Sequence, residues 1–495
     1  MLRMTEQIQM SDYEGLYDRI IPKDNELRQL SDMVDFGFVI DELQDKYCLD
    51  NGRDAEDPIR LFKYQMLKSM KRLSDEDLVE QSRYDMSMKY FLGYRPEDDV
   101  ISPSLLTKFR KLRLTDEGVM DKLIGKTVKI GIEKGVLKSK NLIVDSTHSI
   151  SRFHNRRPFE VLQEQAKLLR KAVYEVDAGM RDKFPAKVSG DDVEKHIEYC
   201  KQLISVIDND ERLQIYGKVK SALNYLQEMI DDNLEHLRTS PDEDARVGHK
   251  TADTEFFGFK THIAMTDERI ITAAVVTSGE KHDGKQLEAL VEKSRAAGVE
   301  VEAVIGDGAY SEKLNIEYAK DNFELVSRLS SCVVNGVRSK ENEFEFNKDA
   351  GMFVCKAGHM AISKKRMHKK RNGANENPRI EYRFDIEKCK RCHLRDGCYR
   401  EGSKTKTYSV TITSDIQNEH KAFQETERFK ELASNRYMIE AKNAELKNRY
   451  GYAKAYSTGI QAMRIQGAIA LFTANLKRIL KLVNEKAVNE YGSIA

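Results

Sequence analysis

Three carboxylates, Asp145, Asp307 and Glu440, carry the chemistry that this sequence advertises. Asp145 closes the run Leu142-Ile143-Val144-Asp145-Ser146-Thr147, a short buried-strand pattern that stops on an acid. The same grammar returns at Val304-Ile305-Gly306-Asp307-Gly308. Cleaving a phosphodiester with water, or exchanging it with a 3′-hydroxyl, needs an activated attacking oxygen and a stabilised leaving oxygen. Two Mg2+ (or Mn2+) ions held about 3.5–4 Å apart by carboxylates meet both needs. Mg2+ prefers oxygen ligands and keeps several waters, so few side chains suffice. A lone strand-ending Asp reads better as a cap or turn residue; two at matching points of one topology favour a shared site. Gly306 and Gly308 would let backbone and substrate approach Asp307 closely.

Glu440 belongs to a helical stretch. At about 100° per residue, Arg436 and Lys447 both return to within roughly 40° of Glu440, whereas Glu445 falls about 140° away. One acid flanked by two bases suits a metal beside a DNA phosphate. Read in isolation, the same residues make an ordinary Arg436–Glu440 pair of a few tenths of a kcal/mol.

A second cluster is made of sulfur. Of seven cysteines, four lie between 355 and 398. Cys389-x2-Cys392-x5-Cys398 is half of a zinc pattern and Cys355 could be the fourth thiolate, with His359 and His393 as substitutes. Four thiolates and no open position would make a structural Zn2+ site; the alternative is a set of reduced, partly buried thiols. Cys48, Cys200 and Cys332 stand alone and read as core or incidental.

These groups need elements to position them. Residues 1–125 read as helical: Asp57-Pro58 starts a helix, Phe62, Met66, Met70 and Leu73 recur at helical spacing, and Ser74-Asp75-Glu76-Asp77 opens the next. Ser104 to Arg113 carries Lys108 and Arg110, which fits either DNA contact or the wet face of a bundle. The core is expected over 138–152, 251–321 and 421–488. It comprises the strand at Leu142, a hairpin of Phe256–Met265 and Ile270–Thr277, a helix over 285–297 stopped by Gly298, and a strand over 301–305. Residues 153–250 read as a helical insertion with stripes such as Leu162, Ala166, Leu169 and Val173. Residues 322–420 form a Cys-rich insertion with a late strand at Tyr408, Val410 and Ile412.

Composition agrees with a soluble protein. The 495 residues contain 82 basic and 81 acidic side chains, a net charge of +1, so overall charge does not announce nucleic acid. A local run does, beginning Lys364-Lys365-Arg366 and continuing through His368 to Arg371, although a solvated loop explains such a run as well. No stretch of about 18 apolar residues suggests a membrane span. Met1 to Glu6 lacks the apolar core of a secretory signal, so a cytoplasmic location is expected.

Taken together, these motifs resemble bacterial insertion-sequence transposases of the DDE class, whose catalytic core is similar to RNase H and retroviral integrase. The resemblance places the two Asp on Asp145 and Asp307 and the Glu on Glu440. Arg436, Glu440 and Lys447 match the family's Arg-x3-Glu-x6-Lys signature; the Tyr that usually precedes it is Ala433 here. Leu27 to Arg113 resembles the helical domain that precedes the core, and Gly258-Phe259-Lys260-Thr261-His262 the hairpin strand. The fold implied is α/β, an RNase H-like mixed sheet with helices, interrupted by a helical and a Cys-rich insertion and preceded by an all-α domain. The activity implied is metal-dependent binding, cleavage and joining of element ends, with double-stranded DNA as partner, in a homodimer or larger synaptic complex on the nucleoid. A standalone nuclease on the same fold, or an inactive metal-stabilised DNA-binding protein, is the rival.

Overall fold

The strand expected to stop on Asp145 runs five residues further. In the computed structural model β1 spans Asn141–Ile150. Leu142 to Ile150 pair antiparallel with Thr266 back to Gly258. The continuation carries Ser146, Thr147, His148 and Ser149, too polar to read as strand, yet Thr147 and Ser149 are buried. Asp145 therefore sits in the middle of a strand rather than at its end.

The structure describes residues 13, 15–48, 54–231, 240–251, 254–329, 344–347, 350, 352–367, 370–371, 374–375, 379–392, 394–396, 398–411 and 415–492. The central sheet adds β2 (Arg246–Thr251), β3 (Thr254–Thr266), β4 (Ile271–Ser278), β5 (Ala303–Ile305) and β6 (Glu324–Val326) to β1. Its order is β2-β3-β1-β5-β6, with β4 also paired to β3. The β1/β3/β4 meander is antiparallel, and β5 and β6 add in parallel. The fold is α/β, a mixed RNase H-like sheet with helices and an N-terminal helical region. The hairpin turn falls where the sequence places it, with Arg269 at φ 64°. The helix after β4 is Leu287–Ala296, and Gly298, at φ 100°, follows its end.

The N-terminal helices start on the expected caps: the Asp57 carboxylate accepts from Ile59 N, and Ser74 Oγ from Asp77 N. They do not stand apart from the sheet. Their apolar faces share one core with it and with the long Ile460–Gly492 helix. Phe62 and Phe472, with ring centroids 5.5 Å apart, join the two ends of the chain.

Three helices of the insertion, Pro158–Val176, Val193–Asp208 and Gly217–Asp231, pack around their own core, which contains the predicted Leu162, Ala166, Leu169 and Val173. Residues 246–250, expected within this insertion, instead belong to β2, and Glu324–Val326, expected within the Cys-rich insertion, form β6 of the central sheet. The Cys-rich part contains a small three-stranded sheet of Ser363–Met367, Arg379–Phe384 and Lys406–Thr411. Phe344, Phe353 and Tyr408 lie in its core. Cys332, His368, Lys369, His393 and Ile412 lie outside the described residues. Among the described residues, no helix is long and apolar enough to cross a membrane.

Candidate active site

Parallel pairing of β1 with β5 sets Ile143 opposite Ile305. Asp145 and Asp307 each follow that rung by two residues, so the register carries both acids to the same end of the sheet. Asp307 Oδ1 accepts from Ala309 N at 2.9 Å, which fixes the turn after β5. Gly306 serves packing: a Cβ there would stand 2.7 Å from the Tyr310 ring and 3.0 Å from Val144. Tyr310 is thereby folded under the acids, fully buried, its hydroxyl without a hydrogen-bond partner. Burial, then Asp145, Asp283 and Asp307, hold that phenol well above its usual value.

Asp145 is the most perturbed carboxyl of the site. Burial pushes it up to about 6, with Asp307 and Asp283 adding to the rise while the Ser146 backbone and Arg436 oppose it. Its Oδ2 accepts from Asn443 Nδ2 at 2.9 Å, and Asn443 Oδ1 is left buried with no donor.

Asp283, in the loop after β4, was not anticipated. It accepts from Ser146 Oγ at 2.9 Å and from Lys260 Nζ at 3.0 Å, and His262 Nδ1 lies 3.6 Å away. Nothing in the run His282-Asp283-Gly284 separates this acid from a solvated loop residue. Asn443 could have been found, since it lies about 60° from Glu440 on the same helix.

The helix bearing Glu440 is Tyr437–Arg449, with Arg436 at its N-cap. Its rotation is fixed from below and behind. Ile439, Lys442 and Leu446 are buried. Lys442 Nζ meets Glu445 at 3.4 Å, and Arg269 of the hairpin meets the same carboxylate at 3.3 Å. The following chain docks on the end of β1, where Ile150 N donates to Ala453 O and Ala455 N to Ile150 O. This packing turns Glu445 to the far flank, as the helical angle requires. Lys447 Nζ lies 3.2 Å from His148 Nδ1 on β1. Glu440 is 59% exposed and pairs with Arg436 at 3.2 Å, so its carboxylate is turned to the arginine rather than into the Asp pair.

Among the other predicted contacts, Lys108 is exposed, whereas Arg110 is bound to Asp75 at 2.5 Å. Lys364, Lys365 and Arg366 are exposed on an edge strand of the small sheet. Cys355, Cys389, Cys392 and Cys398 line one cavity of about 330 Å3, together with His359 and Lys406. Burial raises the Cys389 thiol, and Cys398, Cys355 and Cys392 add to that rise. Among the described residues, no set of three or more His, Cys, Asp or Glu side chains forms a ready-made metal cage, at the acids or at the thiols.

The donor chemistry nevertheless fits cations. Burial raises the proton affinity of Asp145 and the Asp307 and Asp283 carboxylates beside it add repulsion, while Asn443 Oδ1 and Tyr310 OH stand unpartnered nearby. A divalent cation would relieve that repulsion.

Two family models match the chain. One, described as Transposase domain (DUF772), covers residues 16–112; the other, described as Transposase DDE domain, covers 230–476. Asp307 and Glu440 lie inside the second match. Asp145 lies ahead of it, across the helical insertion, and is tied to it by strand pairing. A comparison with curated proteins gave no match.

Proposed function

The chain belongs to the DDE transposases of insertion sequences, and from that premise we propose that it binds the ends of its element, cuts them and joins them to target DNA. The observation that carries this reading is the placement of Asp145 and Asp307 two residues past one parallel rung, with Asn443 of the Glu440 helix touching Asp145. Mg2+ or Mn2+ ions held by Asp145, Asp307 and Glu440 would activate the attacking oxygen and stabilise the leaving one. Glu440 must leave Arg436 to take part. An exposed i,i+4 pair is worth only about 0.3–0.5 kcal/mol, so that movement is cheap.

The remaining side chains orient and grip. Asn443 holds the Asp145 carboxylate in one orientation. Arg436, once released, and Lys447 flank the acids on the helix face and would take phosphates of the scissile strand. Lys108, Lys364, Lys365 and Arg366 are exposed cations suited to DNA backbone farther out. Arg110 contributes through Asp75 to the shape of its helix rather than by direct contact. Cys355, Cys389, Cys392 and Cys398 would draw together around a structural Zn2+. Handling two element ends at once calls for a dimer or larger synaptic complex at the nucleoid.

The test separates transposase from nuclease. Purified protein, a duplex carrying the element end and supercoiled target DNA are incubated with Mg2+. Covalent end–target products are expected; cleavage without any joining would favour the standalone nuclease.

A further inference from the structure

The far flank of the Tyr437–Arg449 helix, to which Glu445 is turned, borders a second feature. A polar groove of about 1090 Å3 runs between this helix, the Glu26–Met33 helix and the Ile460–Gly492 helix. Five cations line it: Arg269, Arg449, Lys477, Arg478 and Lys481. Three carboxylates oppose them, and each is engaged. Glu26 meets Lys477 at 2.8 Å, Glu485 stands 3.7 Å from Lys481, and Glu445 serves both Arg269 and the buried Lys442.

Positive charge is therefore left over. No carboxylate of the groove pairs with Arg449 or Arg478; Arg478 Nε donates to the Glu268 carbonyl at 2.8 Å. Arg269 holds a buried Nε with no acceptor, on a backbone at φ 64° that a side chain rarely adopts. Burial, and then Arg269, hold the Arg478 guanidinium below its usual value, although Glu485, Glu445 and Glu268 act on it in the opposite sense without forming an ion pair with it. Crowded, incompletely satisfied guanidinium groups in an open polar groove call for an anion, and their planar forks match phosphate oxygens.

We infer that this groove binds the sugar–phosphate backbone of a second duplex segment, separate from the strand at Asp145. The inference rests on the transposase reading, in which element end and target are held together. The two surfaces are flanks of one helix, about 140° apart around its axis, so one phosphate run does not serve both. Backbone contact of this kind carries no base information.

Full-length protein bearing Asp145→Asn, which keeps DNA intact, is titrated with fluorescent duplexes of unrelated sequence across a salt series. The comparison adds Arg449→Ala/Lys481→Ala; both side chains are exposed, so the fold is retained. The double variant is expected to bind every duplex more weakly and to flatten the salt dependence by about two units of slope. Lys201→Ala/Lys218→Ala, on the helical insertion, removes the same charge and is expected to leave the slope unchanged; an equal flattening there would assign the effect to net charge and overturn the groove. Superimposable curves for parent and groove variant also overturn it. Inorganic phosphate alone is the second arm: if it raises the parent's unfolding midpoint while the groove variant keeps the full DNA slope, the site takes free phosphate and not DNA. A parent that binds no duplex at all removes the transposase reading itself, a different failure.

Discussion

Asn443 donates its side-chain amide to Asp145 Oδ2 across 2.9 Å, tying the middle of β1 to the helix three residues beyond Glu440. That bond ties the helix backbone that carries Glu440 to the strand that carries Asp145, while the Glu440 carboxylate itself is turned to Arg436. It also leaves the second Asp145 oxygen free of Asn443.

Asn443→Ala should therefore slow DNA cleavage by about 10–100-fold, the usual loss when a residue that orients a ligand is removed. Duplex affinity should be unchanged, because Asn443 adds no charge. Single-turnover cleavage beside a binding titration checks this; a wild-type rate would remove Asn443 from the site.

Asp145 gives a stability prediction with a definite sign. Its carboxyl is raised from 3.8 to about 6, so the native chain holds that proton more tightly than the unfolded one. Stability from this group is present below pH 3.8 and is lost as pH rises to about 6. In EDTA at neutral pH, Asp145→Asn should unfold about 2 °C higher than wild type. The gap should close in acid below the unfolded value. Wild type more stable than the variant at neutral pH without metal would mean that burial and the neighbouring acids do not disfavour the Asp145 carboxylate as described.

Much of this was legible beforehand, for physical reasons. The apolar triplets before Asp145 and Asp307 mark strands buried on both faces, and the 3.6-residue period separates Glu440 from Glu445. What stayed hidden was polar or long-range. The second half of β1 is Ser-Thr-His-Ser, whose strand character comes from pairing with β3 and not from its own hydrophobicity. Asp283 joins the site only because Lys260 and Ser146 are folded against it from two strands. The Arg436–Glu440 pair that helical spacing allows is present, and it sets the present direction of the Glu440 side chain.

The cysteine cavity predicts metal content. Purified under reducing conditions, the protein should carry about one Zn2+ per chain. Cys392→Ser should lose it, together with the thermal stability of the Cys-rich part. Zinc-free protein with an unchanged unfolding profile would return the four thiols to packing.

The central claim is that Asp145, Asp307 and Glu440 act as one site. Asp145→Asn, Asp307→Asn, Glu440→Gln and, as control, Glu445→Gln are each given element-end duplex, target DNA and Mg2+, and joined product is counted. The first three should bind the duplex and yield no cleaved or joined strand, while Glu445→Gln keeps measurable joining. Near-normal joining by any of the first three would contradict the account. An active Glu440→Gln beside an inactive Glu445→Gln would place the helix acid on the opposite flank.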